Sequence, residues 1–194
     1  MRDLEDGHSI QGDLQLVLYI DGASRGNPGR AGAGVWMTNG AGRKLVEVSR
    51  YLGHKTNNEA EYWALLLGLR EAKRLGGESV HIFTDSELIE RQVKGVYRVK
   101  NLNLKGLHKM VAQNLQEFSS FDIQSIPREQ NQEADRLANQ AIERRIAKEI
   151  RRREESKGKR WSLLITSPQG DVREGRKVRA PKGRVVRNSD CPAL

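Results

Sequence analysis

Cysteine is almost missing from this sequence, since Cys191 is the single one among 194 residues. One cysteine cannot form a disulfide within the chain, which excludes a disulfide-stapled secreted fold and favours a reducing compartment. Long hydrophobic runs are missing as well: none approaches the roughly 18 residues that a membrane-spanning helix needs. The acidic stretch at 1–6 is also unlike the basic start of a signal peptide. We therefore expect a cytoplasmic protein that does not associate with a membrane.

Negative charge is scarce in one part of the chain. Residues 144–194 hold 16 Lys and Arg against 6 Asp and Glu, whereas residues 1–143 hold 18 and 19. The net charge of +9 therefore belongs to the C-terminal segment, and the body is nearly neutral. A basic segment of this kind is typical of proteins with a polyanionic partner, so we expect it to contact nucleic acid phosphates. The alternative is a solvated tail that only improves solubility.

Hydrophobic periodicity divides residues 14–150 into strands and helices. The turn-forming pair Asn39-Gly40 joins two of the strands and predicts an antiparallel hairpin. The order of elements predicts an α/β fold, with a mixed sheet flanked by helices. Strands are predicted at 14–20, 33–38, 44–52, 80–84 and 121–126, and helices at 56–75, 86–93, 102–118 and from about 131 to 150.

The remaining segments have loop-like or low-complexity composition. The glycine-rich stretch Asp21–Gly29 is predicted to be a loop after the first strand. Residues 1–13 are predicted to be a flexible acidic leader, and residues 14–150 a single domain. Residues 151–194 form a basic C-terminal extension that we expect to be mostly disordered, because it has too few apolar residues for a core. Residues 161–166 are the exception, since their composition also suits one further strand.

Four carboxylates stand at the ends of predicted elements, and each alone has an ordinary structural explanation. Asp21 opens a glycine-rich turn, and Asp85 precedes a helix as an N-cap residue does. Glu61 follows Asn58 at the spacing of a capping box. Asp135 lies in the first turn of a helix, where the macrodipole favours an acid.

Helical periodicity changes that interpretation. Glu61 shares a helical row with Leu65, and Asp135 shares one with Ala138, so both acids face the core. No Lys or Arg occupies these inward rows, and a buried carboxylate without a positive partner is costly. Two Mg²⁺ ions would neutralise four converging carboxylates, with Mn²⁺ able to substitute, because these ions prefer ligand sets made only of oxygen. The four histidines show no ligand spacing.

Four stretches of the sequence resemble the motifs of type 1 ribonucleases H. They occur in the family's order, and each acid falls on the element that the family requires. The resemblance extends over residues 14–145 and is specific because all four motifs are present together. The stretches are Tyr19–Gly29, Thr56–Tyr62, Phe83–Ser86 and Asn131–Ala138.

The resemblance implies a five-stranded mixed sheet in the order 3-2-1-4-5 and hydrolysis of the RNA strand of RNA–DNA hybrids, leaving 5′-phosphate and 3′-hydroxyl ends. Asp21 would bridge two metal ions, Glu61 and Asp85 would complete one ion's ligands, and Asp135 those of the other. Glu59 is set aside because the family's acid is the third residue after the Asn pair and Glu59 lies on another helical face.

The resemblance also implies a set of substrate-binding residues. Amide side chains in the family read the RNA 2′-hydroxyl across the minor groove, since an amide both donates and accepts hydrogen bonds. Asn27, Asn57 and Asn58 match those positions. The other candidates are the backbone at Gly22 and Ser24, Thr56 for a DNA phosphate, Ser86 beside Asp85, and Arg128.

Three positions depart from the family pattern. The loop before Asp135 lacks the histidine of many relatives, and Arg128 is the candidate there for the phosphate or leaving group. Glu87 replaces a glutamine that some relatives place on the minor groove. Residues 94–109 are too short for the basic protrusion of some relatives, so we expect the basic C-terminal segment to supply the missing affinity for the hybrid.

Two rival interpretations remain open at this point. The same fold could serve a non-catalytic module that binds hybrids or duplex RNA, although four acids facing phosphates would weaken such binding. It could also serve a metal-dependent nuclease that acts on another duplex. We expect a monomer in either case.

Overall fold

The structure is a computed structural model that describes residues 14–165, with side chains for 14–157. Five strands form one sheet in the order β3-β2-β1-β4-β5. The first three strands are antiparallel neighbours, and β4 and β5 join them in parallel, so the sheet is mixed as predicted. The strands are β1 Gln15–Gly26, β2 Gly29–Asn39, β3 Lys44–Lys55, β4 Ser79–Thr84 and β5 Ser120–Ser125.

Four α-helices and one short 3₁₀ helix connect and cover these strands. The predicted helices after β3, after β4 and before β5 are all present, with ends that differ by a few residues. A single turn of 3₁₀ helix, Arg128–Gln130, lies between β5 and the last helix. The α-helices are α1 Asn57–Arg74, α2 Glu87–Val93, α3 Leu102–Leu115 and α4 Gln132–Ile165.

The hydrophobic core lies between the sheet and helices α1 to α3. Alternate residues of β1 point into it, which is the pattern of a strand buried on one face. Helix α1 is buried along most of its length, as its apolar spacing predicted. The largest fully buried side chains include Leu16, Leu18, Ile20, Met37, Tyr62, Leu65, Leu66, Leu69, Ile82 and Ile123.

The predicted loop at Asp21–Gly29 is wrong. Strand β1 continues through this stretch to Gly26, so the turn to β2 contains only Asn27 and Pro28. Asp21 therefore lies inside the strand, opposite Gly34 of β2. Gly22, one of the glycines that suggested a loop, instead permits close packing: a Cβ there would lie 2.1 Å from the Glu61 backbone nitrogen.

Helix α4 is longer than predicted. It runs to Ile165, so the further strand considered for residues 161–166 is wrong over 161–165. Good helix formers dominate this stretch, and ion pairs such as Arg145–Glu149, at 2.8 Å, support a helix without apolar burial. The predicted leader at 1–13, residue 166 and Cys191 lie outside the described residues.

The chain divides into two compact units, Met1–Glu154 and Glu155–Leu194. The first unit contains the whole sheet and every candidate site residue. Within residues 14–165, no helix combines the length and the apolar character that crossing a membrane requires.

Candidate active site

The four predicted carboxylates meet at one edge of the sheet because of how their elements are packed. Strands β1 and β4 are parallel neighbours in which Ile20 pairs with Thr84, so the next residues along, Asp21 and Asp85, lie side by side. Two glycines bring the other two acids to Asp21. Helices α1 and α4 each approach the sheet where a side chain is absent.

Gly22 and Gly34 make these two approaches possible. Gly22 follows Asp21 in β1, and its missing side chain admits the backbone of Glu61. Gly34 pairs with Asp21 across the β1–β2 ladder, and a Cβ there would lie 2.0 Å from the carbonyl oxygen of Ala134. Since Ala134 directly precedes Asp135, α4 presents that acid beside Asp21.

Burial and mutual repulsion raise the pKa values of the two innermost acids. Asp21 is 6% exposed, and burial first, then the charges of Asp85, Glu61 and Asp135, raise its pKa to about 8. Burial and the charge of Asp85 raise the pKa of Glu61 to about 7, against opposing contacts from Ser86 and Asn57. The four carboxylates therefore act electrostatically as one cluster, and the cluster is short of positive charge.

Among the side chains described for 14–157, Arg128 is the cation that reaches this cluster. It projects from the 3₁₀ turn, forms an ion pair with Asp135, and its charge lowers the pKa of Asp21. Asn139 also donates to the Asp135 carboxylate, at 3.2 Å. This ion pair was not predicted, because Arg128 precedes the helix and lies on neither of the inward helical rows.

The donor set suits a divalent ion that prefers oxygen. The second oxygen of Glu61, Oε2, is buried and has no hydrogen-bond partner among the described residues. Among the side chains described for 14–157, however, no three Asp, Glu, His or Cys residues are arranged to hold one metal ion as they stand. The carboxylates thus provide the right chemistry for a divalent ion, and one of them, Asp135, is paired with Arg128.

The asparagines predicted to recognise the RNA strand are connected to the acid cluster by hydrogen bonds. The side-chain oxygen of Asn27, at the β1–β2 turn, accepts a hydrogen bond from the Asn57 backbone at 3.1 Å. The Asn57 side chain donates in turn to Glu61 Oε1 at 2.9 Å. Ser24 lies nearby in β1 and donates to the Lys55 carbonyl oxygen at 2.8 Å, just before α1.

The start of α1 excludes the ordinary structural explanation of Glu61. The capping box is formed by Thr56 and Glu59, and not by Asn58 and Glu61, whose spacing also suits one. The Glu59 carboxylate accepts from the Thr56 backbone at 2.9 Å and from its hydroxyl at 2.8 Å. Glu59 therefore has a structural role, which leaves Glu61 for the acid cluster, and the half-buried Asn58 is not the cap.

One buried residue beside the acids was not predicted as a site residue. Asn131 immediately precedes α4, is 1% exposed, and donates to the carbonyl oxygen of Ile20 at 2.9 Å. Its position in the Asn131–Ala138 motif was the only available signal, and an asparagine before a helix is normally explained as an N-cap. Ser86, by contrast, does cap its helix α2, accepting from the Ile89 backbone.

A mixed sheet in the order 3-2-1-4-5, with acids from β1, β4 and two helices at one edge, defines a ribonuclease H-like fold. Comparison with known proteins agrees: the family model described as "Reverse transcriptase-like" matches residues 19–141. Ribonuclease HI of Halobacterium salinarum is 37% identical over 129 residues, which cover 66% of this chain and 65% of that protein. The chain belongs to the type 1 ribonuclease H family.

Two further relatives define the extent of the similarity. The bifunctional protein Rv2228c of Mycobacterium tuberculosis is 38% identical over 132 residues, which are 67% of this chain but only 36% of that protein. The solved structure of LC11-RNase H1, from compost, in complex with an RNA/DNA hybrid has a TM-score of 0.65 and 41% identity, over 68% of this chain and 99% of that one. The chain thus spans less than two thirds of the length of its first curated relatives.

Proposed function

We propose that this protein is an endoribonuclease that hydrolyses the RNA strand of RNA–DNA hybrids and leaves 5′-phosphate and 3′-hydroxyl ends. The observation that carries the proposal is the convergence of Glu61, Asp85 and Asp135 on the buried Asp21, whose pKa all three raise. Membership of the ribonuclease H family and the hybrid bound to LC11-RNase H1 support the choice of substrate.

The acid cluster would bind divalent cations. The family depends on a divalent metal, generally Mg²⁺. We propose two ions, with Asp21 shared between them, Glu61 and Asp85 on one and Asp135 on the other. Divalent ions at such a site lower the pKa of an attacking water and stabilise the charge on a leaving oxygen.

The protein's own residues would prepare this site in three ways. Asn57 fixes one Glu61 oxygen and leaves Oε2 free to act as a ligand. The burial of Asp21 makes its negative charge costly without a cation, which favours ion binding over the empty state. Arg128, once it leaves Asp135, carries a permanent positive charge that suits the scissile phosphate or the leaving group.

Selection of the RNA strand would depend on the polar residues between the β1–β2 turn and α1. Asn27 and Asn57 are already hydrogen-bonded to each other, and Asn57 to Glu61, so a 2′-hydroxyl read here would lie next to the acids. Asn58, Ser86 and the backbone at Gly22 and Ser24 are the neighbouring contacts we propose, with Thr56 facing a phosphate of the DNA strand. DNA lacks the 2′-hydroxyl and would not satisfy these amides.

Three further properties belong to the same proposal. The basic segment 144–194 would contact phosphates beyond the cleavage site, since it has 16 basic and 6 acidic residues. The protein would act as a monomer. It would work in the cytoplasm, consistent with its single cysteine.

The decisive test compares matched RNA–DNA, RNA–RNA and DNA–DNA duplexes of one sequence in the presence of Mg²⁺. We expect cleavage of the RNA strand of the hybrid alone, and its loss with EDTA or in Asp85→Asn. Binding of the hybrid without cleavage would favour the non-catalytic module. Cleavage of duplex RNA at a similar rate would favour the nuclease of different specificity.

A further inference from the structure

Asn131 stands where three of the site's elements meet. Its side-chain nitrogen donates to the carbonyl oxygen of Ile20, the residue before Asp21, at 2.9 Å. The same nitrogen lies 3.5 Å from Asp85 Oδ1, at the outer limit of a hydrogen bond. Its backbone oxygen accepts from the Asp135 backbone at 3.1 Å. The Asn131 side chain thus contacts β1 next to Asp21 and reaches the Asp85 carboxylate, while its backbone starts the helix that carries Asp135.

The conformation of Asn131 is unusual for an asparagine that precedes a helix. At this position the side-chain oxygen normally accepts a hydrogen bond from the first turn and stabilises the helix by about 1 kcal/mol. Here Oδ1 is buried and has no partner among the described residues. A buried polar atom left unpaired is itself destabilising. The Asn131 side chain therefore does not cap α4, and its amide nitrogen donates to the sheet instead.

We propose that Asn131 is a positioning residue, whose buried amide fixes the Asp85 carboxylate relative to Asp21 and Asp135. The two acids on β1 and β4 are held in register by the sheet, but Asp85 lies beyond the last residue of its strand. A donor anchored on the Ile20 carbonyl limits where that carboxylate points. This inference rests on the proposed function, because it assigns Asn131 a role in the same site.

The test uses a substitution that separates capping from positioning. In Asn131→Ser the hydroxyl can cap α4 but is too short to reach the Ile20 carbonyl and Asp85. Asn131→Ala removes both abilities. The control is Asn114→Ala: Asn114 is a half-buried asparagine of α3 whose side chain donates at 2.8 Å to the Met110 carbonyl oxygen, away from the acids.

Full-length proteins would be compared for hybrid cleavage, for Mg²⁺ binding by calorimetry and for thermal unfolding. We expect Asn131→Ser to unfold within a few degrees of wild type. Its kcat should fall about 10–100-fold and its Mg²⁺ dissociation constant should rise by about 10-fold, the scale for groups that orient metal ligands. KM for the hybrid should stay within about threefold, since no substrate contact is removed. In Asn131→Ala, kcat should fall by the same factor as in Asn131→Ser, and the unfolding temperature should fall as well.

The outcomes separate this proposal from the function on which it rests. Wild-type kcat and Mg²⁺ affinity in Asn131→Ser would overturn it, as would failure of both variants to fold, which would assign Asn131 a purely structural role. If the wild-type protein cleaves no hybrid, the proposed function fails. The role of Asn131 is then decided by the Mg²⁺ dissociation constants of the variants. A dissociation constant raised in Asn131→Ser but not in Asn114→Ala would support positioning, and equal values would overturn it.

Discussion

Two parts of helix α4 differ in how they are held. Its first part packs against the sheet, where Ala134, Leu137, Ala138, Ala141 and Ile142 are buried, and it carries Asp135. From Glu143 to Glu154 the residues are half-buried or exposed. This second part is connected to the sheet by ion pairs, Arg25–Glu143 at 3.0 Å and Arg30–Glu149 at 2.9 Å. Partly exposed ion pairs of this kind contribute little, about 0–1 kcal/mol each.

The difference indicates two kinds of function within one helix. Apolar packing sets the position of Asp135, because moving the first part would open a cavity or a clash in the core. The second part begins the basic segment, which we propose acts on a polyanion, and charges that act at long range need no fixed position. Substitutions in the first part should therefore affect kcat, and changes in the basic segment should affect KM and its salt dependence.

Asp135→Asn makes the largest change in the buried part. We expect kcat on the matched hybrid to fall by about 10³-fold or more, the scale for removal of one member of a catalytic unit. KM should change little, because the asparagine keeps the shape and the substrate contacts lie elsewhere. Single-turnover cleavage checks this, and a kcat within tenfold of wild type would remove Asp135 from the catalytic set.

Gly34→Ala tests whether close packing brings α4 to Asp21. The added Cβ would meet the Ala134 carbonyl oxygen at 2.0 Å, a contact that backbone must relieve by moving. We expect a loss of about 3 kcal/mol in the free energy of unfolding, at the upper end for overpacking, and a lower kcat. Gly106→Ala is the matched control, because nothing lies within 4 Å of its Cβ and it is inside α3. A helical glycine replaced in open space should give a stabilisation of about 0.5–1 kcal/mol.

Asp21→Asn should stabilise the metal-free protein. The folded pKa of about 8 lies above the ordinary value of 3.8, so the folded state holds this proton more tightly than the unfolded state. Protonation of Asp21 therefore favours the folded state at pH 4, and this contribution to the free energy of unfolding is lost as the pH rises towards 8. We expect Asp21→Asn to be about 2 kcal/mol more stable than wild type at pH 8 in EDTA, since a buried unpaired charge is removed. The difference should shrink towards pH 4, and urea denaturation at both pH values measures it. Equal free energies of unfolding for the variant and the wild type at pH 8 would show that burial and the neighbouring acids do not destabilise the Asp21 carboxylate.

Removal of residues 155–194 gives the smallest expected effect. The deletion takes away ten basic and four acidic residues and leaves the first compact unit whole. We expect KM for the hybrid to rise about threefold to tenfold, while kcat is unchanged. The slope of log KM against log salt concentration should decrease by the equivalent of about one phosphate contact or more. An unchanged salt dependence would mean that the segment does not contact the substrate.

Much of the site could be predicted because helical and strand periodicity report which way a side chain faces. Glu61 and Asp135 were assigned to the core side from their apolar neighbours. Glu61 is buried as that spacing predicts, whereas Asp135 is half-buried and paired with Arg128. The error at Asp21–Gly29 has a physical reason. Glycine signals a loop in isolation, whereas Gly22 is required by the approach of α1, whose residues are far away in the sequence.

The contacts of Arg128 and Asn131 could not be predicted for a similar reason. Arg128 pairs with an acid seven residues away only because a 3₁₀ turn redirects the chain between β5 and α4. Asn131 has the sequence signature of a cap, and its inward orientation depends on the Ile20 carbonyl of a strand 111 residues earlier. The length of α4 was underestimated because ion pairs rather than apolar periodicity support its second part.

We propose that Asp21, Glu61, Asp85 and Asp135 together hold divalent ions against the RNA strand. A crystal structure of the wild-type protein with an RNA–DNA hybrid and Ca²⁺ tests this, because Ca²⁺ accepts the same oxygen ligands as Mg²⁺ but tolerates a looser geometry. We expect two ions between these carboxylates and one RNA phosphate, with Asp135 released from Arg128. Ions bound elsewhere, or the DNA strand lying across the acids, would contradict it.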